Sequence, residues 1–563
     1  MYRFLCNINI NIDVDAHVPA KMSKSPTVQS TFSLPFSFSL FEPWNRCLAN
    51  MGSCLEREIN AFLWLSLITV TAFLLGKLAK VFEFWAKARA IPGPPSPSVY
   101  GHCHLISRSN LTDILYKCHE KYGGAVRLWL GPNRLLVSIK DTELINEVLT
   151  KAEDKSPLTG RAFHLAFGKS SFFVSSFDKV EHQRKSLELK LGGKLLERAR
   201  LIPGKVLDCV IERAQITMRE GGMDCEMLSQ HLAFTILGAT IFGDVFLTWP
   251  KATLYEELLM KSAKDACFWA SYGVAPFWKQ EFWKYQDSCT KVKSLTRELI
   301  QECRQDSKSE FLLDFDGHGD VRCEPCGEII SLMFHGSLTM GSLIANILTR
   351  LVSHLDIQDK IHSEIVMAQK TGRRPDQQNV DIMPNLMATV YESVRLLPAG
   401  PLLQRCSLRH DLKLKNGMVI PAAAIIVVPV QLVQTDCSNW GNDAGKFNPF
   451  RFLSRTDGSG RFISNQKELL TGCNSCIIKE PNECGAFLPF GSGARACIGQ
   501  KLTVLGISSL FAALIGHYEV RLLPGSESNP KHMMNNCVLK LLPSPQIVFA
   551  KRNNGINEEA VSI

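Results

Sequence analysis

Several features that would fix a function at a glance are missing from these 563 residues. No pattern recurs at a period of about twenty to fifty residues, which excludes solenoids and propellers. The 38 glycines follow no three-residue period, which excludes a collagen-like chain. Cysteine is sparse: 19 residues, an odd number, are too few for a disulfide scaffold. Charged residues make up only 21% against 45% hydrophobic ones, so the chain is neither disordered nor an acidic tail. Basic residues exceed acidic ones by a net +9, but they are scattered and form no recognition helix or zinc finger. A nucleic-acid partner is therefore not expected; the mild excess suits a membrane surface or an acidic protein. At about 150 residues per domain the length allows three to four units, or one large fold.

Two uncharged runs bear on a membrane. Ile59 to Gly76 would span about 27 Å as a helix, enough for a bilayer core. Lys77, Lys80, Lys87 and Arg89 follow it and only Arg46 and Arg57 closely precede it, so the C-terminal side is expected in the cytosol. The run reads as a transmembrane signal anchor over 59–76, since the stretch before it is long and no clear cleavage site follows. Ile329 to Thr349 is also uncharged, but nine of its residues are Ser, Thr, Gly, His or Asn, which predicts an interior helix. Residues 1–50 read as a weakly ordered leader or an extension ahead of a more natural start at Met51. Four prolines within 92–97 cannot be helical and predict a stiff hinge over 91–97. No second linker of that kind follows, so 98–552 reads as one domain with a short tail, 553–563.

Strand patterns gather at 125–139 and at 412–428, the latter with a hairpin at Asn416-Gly417. Helical periodicity covers 139–153, 178–220, 225–242, 284–304, 326–370 and 384–397. The fold class is mainly α with a minor β-sheet.

The densest chemistry lies in FLPFGSGARACIGQKL, 487–502. A glycine-rich turn delivers Cys497 to the start of an apolar-striped helix. Such a helix end should cradle a thiolate and lower its pKa, with Arg495 adding a nearby cation. The stretch also fits a dinucleotide fingerprint, with Glu519 about twenty residues on. Too little chain remains to complete that fold, and Cys497 and Arg495 would have no role in it. An ordinary buried cysteine on a turn is the plainer alternative.

Phe490, Gly493, Arg495, Cys497 and Gly499 match F-x-x-G-x-R-x-C-x-G, and here the chain resembles the cytochromes P-450. The resemblance runs over roughly 92–552. It implies the cytochrome P-450 fold preceded by one N-terminal transmembrane helix, with haem b held by Cys497 as axial iron ligand. Glu392 and Arg395 in YESVR and Arg451 in FNPFRF resemble the family's buried carboxylate–guanidinium triad, a structural group behind the cofactor. Other E-x-x-R pairs, Glu181/Arg184 and Glu197/Arg200, suit solvated helix faces. Arg495, Arg405 and Arg184, with His182 assisting, are implied as contacts to the haem propionates. The family's W-x-x-x-R has Val180 in its tryptophan position here, as in relatives acting on plant terpenoids and steroids.

His335-Gly336-Ser337-Leu338-Thr339 falls where the family carries A-G-x-[DE]-T, which implies Thr339, Gly336 and His335 as oxygen-side residues. Leu338 replaces the acid and cannot pass protons, leaving Thr339 with water or His335. A core histidine bonded to a backbone carbonyl is the plain alternative for His335. Trp249, Trp269, Trp278 and Trp283, with Phe268, Phe277 and Phe282, suit either a pocket roof touching the membrane or ordinary core packing. Phe163, Phe167, Phe172 and Phe173 resemble a pocket-lining loop. Cys323-x-x-Cys326 and Cys473-x-x-Cys476, with Cys484, lack a histidine to complete a zinc set and read as free thiols.

The resemblance thus implies a monooxygenase of the endoplasmic reticulum membrane, single-pass with a cytosolic catalytic domain. Its partners would be an NADPH-dependent flavoprotein reductase, membrane lipid, O2 and an apolar substrate of terpenoid or steroid kind. Because of Leu338, a haem-thiolate isomerase or dehydratase that needs no O2, or a non-catalytic haem protein, stays open.

Overall fold

The computed structural model describes residues 42–552, apart from residues 97, 99, 104 and 133 and stretches within 106–110, 156–175, 219–221, 271–275, 306–324, 371–382, 457–484, 527–530 and 536–537. Most of the leader, the tail, the Phe163–Phe173 loop and Cys323, Cys473 and Cys484 lie outside the described residues. Helix α1, Glu42–Arg89, falls in one compact unit and the chain from Ala90 onward in another. The apolar part of α1, Glu58–Arg89, has none of its most apolar window buried in protein, and it is long and apolar enough to cross a membrane. It outruns the expected anchor because Lys77 to Arg89 keep helical propensity and no Gly or Pro breaks the chain until Pro92.

The proline-rich segment is fastened at its start. Ile91 is fully buried, the Arg127 backbone N–H donates to Pro92 O at 2.7 Å, and the Arg127 guanidinium donates to Ile91 O. His102 Nε2 contacts Pro95 O at 3.2 Å, while His102 Nδ1 accepts from the Trp129 N–H at 3.1 Å. Arg127 and Trp129 belong to β1, Ala125–Trp129, which pairs antiparallel with β2, Leu135–Ile139. Two later strands, β3 (Leu402–Arg405) and β4 (Ile425–Pro429), complete a sheet of order β1-β2-β4-β3. The β2–β4 pair is parallel; the β3–β4 pair is antiparallel and sets Arg405 opposite Ile426. The hairpin at Asn416-Gly417 forms between Leu412–Lys413 and Val419–Ile420, with Gly417 at φ +83°.

Apart from three further small sheets, helices make up most of the rest. Asp141 caps α2, Thr142–Lys151, accepting from the Leu144 N–H, so the helix begins later than its periodicity suggested. The run at 178–220 divides into α3, Glu181–Lys190, and α4, Lys194–Met218, because Gly192-Gly193 interrupts it and Gly193 takes φ +52°. Asp224 caps α5, Cys225–Phe242. Next come α6, Ala252–Ala270, which periodicity did not reveal, and α7, Gln280–Gln305. The second uncharged run lies within α8, Pro325–Val352, a core helix. It ends before α9, Leu355–Lys370. The last two are α10, Pro384–Leu396, and α11, Gln500–His517.

Helix α8 packs most extensively on α5, where Gly336 permits the approach: a Cβ there would lie 2.5 Å from Leu237 Cδ2. The core joins Phe234, Leu237, Met333, Ile344, Val394 and Phe511, from four of these helices. The aromatic cluster divides. Trp249 and Trp269 are buried with Tyr255 and Phe282, whereas Phe277, Trp278 and Trp283 are exposed.

Candidate active site

The Cys497 loop is shaped by glycines. Gly491 and Gly493 sit at φ +72° and +71°, a region costly for other residues, and a short 3-10 turn, Gly493–Arg495, follows. The Cys497 N–H donates to Phe490 O at 2.8 Å and the Ala496 N–H to Gly493 O at 2.9 Å. Gly499 then opens α11, and a Cβ on it would lie 3.9 Å from Cys497 Sγ. A Cβ on Gly493 would overlap Leu149 O, so α2 closes directly over the turn. Cys497 keeps accessible surface even though protein packs densely around it.

Four cations converge on this loop. Arg184 Nη2 donates to Ala496 O at 2.6 Å. Arg495 is buried, donates from Nε to Glu153 O at 2.9 Å, and lies over the Phe177 ring at 5.1 Å. Arg405, at the end of β3, is buried and donates from Nη1 to Gln404 O at 2.9 Å. Its Nε and Nη2 have no hydrogen-bond partner among the described residues. Burial first brings Arg405 and Arg495 down to about 10; next come the charges of Arg495 and then Arg184 for Arg405, and that of Arg184 for Arg495. Lys155 is the fourth cation: burial, then Arg405, Arg495 and Arg184, lower it to about 7. Sequence reasoning missed it because a lone lysine outside any motif carries no signal. His182 is exposed on α3, and no described interaction joins it to the cluster.

The thiol itself departs from expectation. The helix end was expected to lower its pKa; burial instead raises it, against the opposing pull of the Gly499 N–H, Arg184 and Lys155. Apolar packing outweighs the helix end until a metal cation supplies the charge that deprotonates a ligating thiol.

Behind the loop, Glu392, Arg395 and Arg451 come together. Glu392 and Arg395 are fully buried and paired through both carboxylate oxygens, Nε to Oε2 at 2.7 Å and Nη2 to Oε1 at 2.8 Å. Arg451 Nε reaches Oε1 at 3.1 Å, and the Asn448 N–H donates to the same oxygen at 2.9 Å. Arg395 also donates to Ala444 O at 2.8 Å and to Gln434 O, with its guanidinium over the Trp440 ring. Every polar edge of this buried pair is answered, which is what makes it tolerable. Gln434 links the group to the loop: Nε2 donates to Arg395 O at 2.6 Å, and Oε1 accepts from the Leu488 N–H at 2.8 Å. No motif pointed to Gln434, whose partners are both distant in sequence.

On α8, His335 keeps accessible surface, and the Thr339 hydroxyl donates to His335 O at 2.9 Å, with Gly336 O at 3.3 Å. Burial, and secondly the charge of Lys155, hold the His335 imidazole down to about 4, so it is neutral at physiological pH. Gly336 faces Leu237 of α5. A separate cavity lined by Leu207, Val210, Leu232, Ile344 and Leu510 offers only apolar atoms and no chemistry.

The residues around Cys497 fit haem b. A thiol with accessible surface offers an axial donor, and the unbonded guanidinium edge of buried Arg405, amid three further cations, suits an anionic carboxylate. A family model described as cytochrome P450 matches residues 91–549, well over half of the chain. The chain is 24% identical over 492 residues to cytochrome P450 734A1 of Arabidopsis thaliana, covering 82% of this chain and 86% of that protein. It is 26% identical over 488 residues to cytochrome P450 3A31 of Mesocricetus auratus, covering 81% and 90%. A shorter match, 29% over 212 residues, covers 37% of this chain and 35% of cytochrome P450 734A5 of Oryza sativa subsp. japonica. The chain belongs to the cytochrome P450 family, oxidoreductases that bind haem b and act as monooxygenases with electrons from NADPH by way of a reductase.

Proposed function

We propose that this chain inserts one oxygen atom from O2 into an apolar small molecule of terpenoid or steroid kind. Electrons would reach it from NADPH through a flavoprotein reductase. The observation that carries the reading is the convergence of Arg184, Arg405, Arg495 and Lys155 around Cys497. In this reading Cys497 Sγ holds the iron, and the cations hold the two propionates. Bound haem supplies the oxygen-activating chemistry.

The protein's own groups do the rest. Phe490, Gly493 and Gly499 shape the loop so that the sulfur is presented without competing side chains. The buried triad, through Gln434, fixes the chain leading into that loop. The Thr339 hydroxyl holds a proton committed to the carbonyls of its own helix, and delivering it requires rotation about χ1. Leu338 offers no acid beside it, so water must bring each replacement proton. Apolar α1 supports attachment to the endoplasmic reticulum membrane, and the basic residues after its apolar stretch support a cytosolic catalytic unit.

The test is the carbon monoxide difference spectrum of the reduced protein. Wild type is expected to give the thiolate-type Soret band and Cys497→Ser to lose it; an unchanged band in the variant would refute the assignment. Product formation from an apolar substrate only with NADPH and reductase separates this activity from an O2-independent isomerase or dehydratase.

A further inference from the structure

Three consecutive carbonyls of α8 each take a side-chain donor. The Thr339 hydroxyl is shared between His335 O at 2.9 Å and Gly336 O at 3.3 Å, and Gln230 Nε2 donates to Ser337 O at 3.2 Å. Inside a helix such oxygens also take a backbone N–H four residues on, so a second donor draws them outward and loosens the ladder. Gly336 and Gly341 bracket the turn, and glycine adds no helix propensity of its own. This turn therefore yields more easily than its neighbours, and Thr339 stands in the middle of it. Gln230 reaches it from outside. It sits on α5, where Ser229, Leu232 and Ala233 around it are buried, so the helix that presents it is fixed. Its side chain lies along α8: a Cβ on Gly341 would stand 3.1 Å from Gln230 Cα and 3.3 Å from Oε1. Gly341 thus leaves room for the amide, as Gly336 does for Leu237.

Resting on the monooxygenase reading above, we propose that Gln230 is a positioning residue for Thr339. An amide of fixed length, held between a core helix and a loosened turn, sets where that turn rests. By bonding Ser337 O it keeps the turn where the Thr339 hydroxyl can leave its own carbonyls and give up its proton. Leu338 offers no acid beside the threonine, so the placement of that hydroxyl governs delivery.

The experiment compares full-length haem-loaded wild type with Gln230→Met and Gln230→Glu. Methionine keeps the length and removes the donor, while Ser337 O keeps its place in the helix ladder, so the variant should fold. Amide hydrogen exchange over residues 338–341 should be about fivefold faster in Gln230→Met, the factor one net hydrogen bond carries, and unchanged over 344–351. The second measurement supplies NADPH, reductase and O2 with no organic substrate, so each O2 ends as hydrogen peroxide (one NADPH) or as two waters (two NADPH). Poorly placed protons favour peroxide, and the fraction of O2 recovered as peroxide should rise by about twofold in Gln230→Met. In Gln230→Glu that fraction should be high near neutral pH, where the carboxylate cannot donate. It should fall towards wild type as pH drops to about 5.5, where a protonated carboxyl can bond Ser337 O again; Gln230→Met should show no such recovery. Unchanged exchange at 338–341 would overturn the proposal. So would faster exchange with an unchanged peroxide fraction, which would leave Gln230 a packing residue, or a Gln230→Glu profile that follows Gln230→Met at every pH. Should Gln230→Met not fold, the pH comparison within Gln230→Glu decides alone. Failure of the haem-thiolate reading is separate: wild type itself would lack the thiolate carbon monoxide band, whereas failure of this proposal leaves that band in all three proteins.

Discussion

At the residue scale, the site rests on groups held away from their ordinary state. Lys155, lowered to about 7, gains affinity for a proton when a carboxylate arrives beside it. By linkage an anionic cofactor binds best while Lys155 is charged. Haem retention should therefore fall as pH rises past about 7, and Lys155→Met should flatten that dependence; transfer of haem to a strong acceptor protein over a pH series measures it. Gly493→Ala meets two penalties, about 1–2 kcal/mol for its positive φ and the overlap with Leu149 O. The variant is expected to lose haem during purification, read as the ratio of Soret to protein absorbance. The glycines and Cys497 were legible in the sequence because turn geometry restricts residue type. Lys155 and Gln434 were not, since neither lies in a motif: Lys155 matters through charges hundreds of residues away, and Gln434 through backbone partners some forty to fifty residues to either side.

At the scale of elements, α10 is held through its last turn. Glu392→Gln would leave the Arg395 and Arg451 guanidiniums without their shared carboxylate in a dry site, at a cost of about 3–5 kcal/mol. Denaturant unfolding should show that loss, and haem content should fall with it through the Gln434 link. Asp154 ties three segments together. Its carboxylate accepts from the Phe177 N–H at 3.0 Å and the Leu408 N–H at 3.1 Å, and its carbonyl from the Cys406 N–H at 3.0 Å. Asp154→Ala should cost about 1–3 kcal/mol by stranding those side-chain-bound donors, again read by denaturant unfolding. Periodicity placed the long helices well: Cys225–Phe242 begins and ends where its apolar pattern and Asp224 cap say it should. It failed where a glycine pair divided 178–220, and at Ala252–Ala270, whose polar and aromatic residues mix without a clean stripe. Trp249 and Trp269 show the same limit, since an aromatic cluster carries no mark of which members turn inward.

For the whole molecule, the sequence disclosed the family and the apolar helix but not where the catalytic unit starts. Composition makes 91–97 look like a linker, yet Ile91 is buried and Arg127 is bonded to Ile91 and Pro92. A chain starting at Ser98 should be less stable than one starting at Ala90 by roughly 3 kcal/mol, from buried Ile91 and the two hydrogen bonds. Thermal unfolding of the two truncations compares them. The Gln434 bridge reaches further still. It fastens the approach to the Cys497 loop through contacts supplied wholly by the polypeptide. A change near Arg395 is therefore felt at Leu488, ahead of the loop, without touching Cys497 itself.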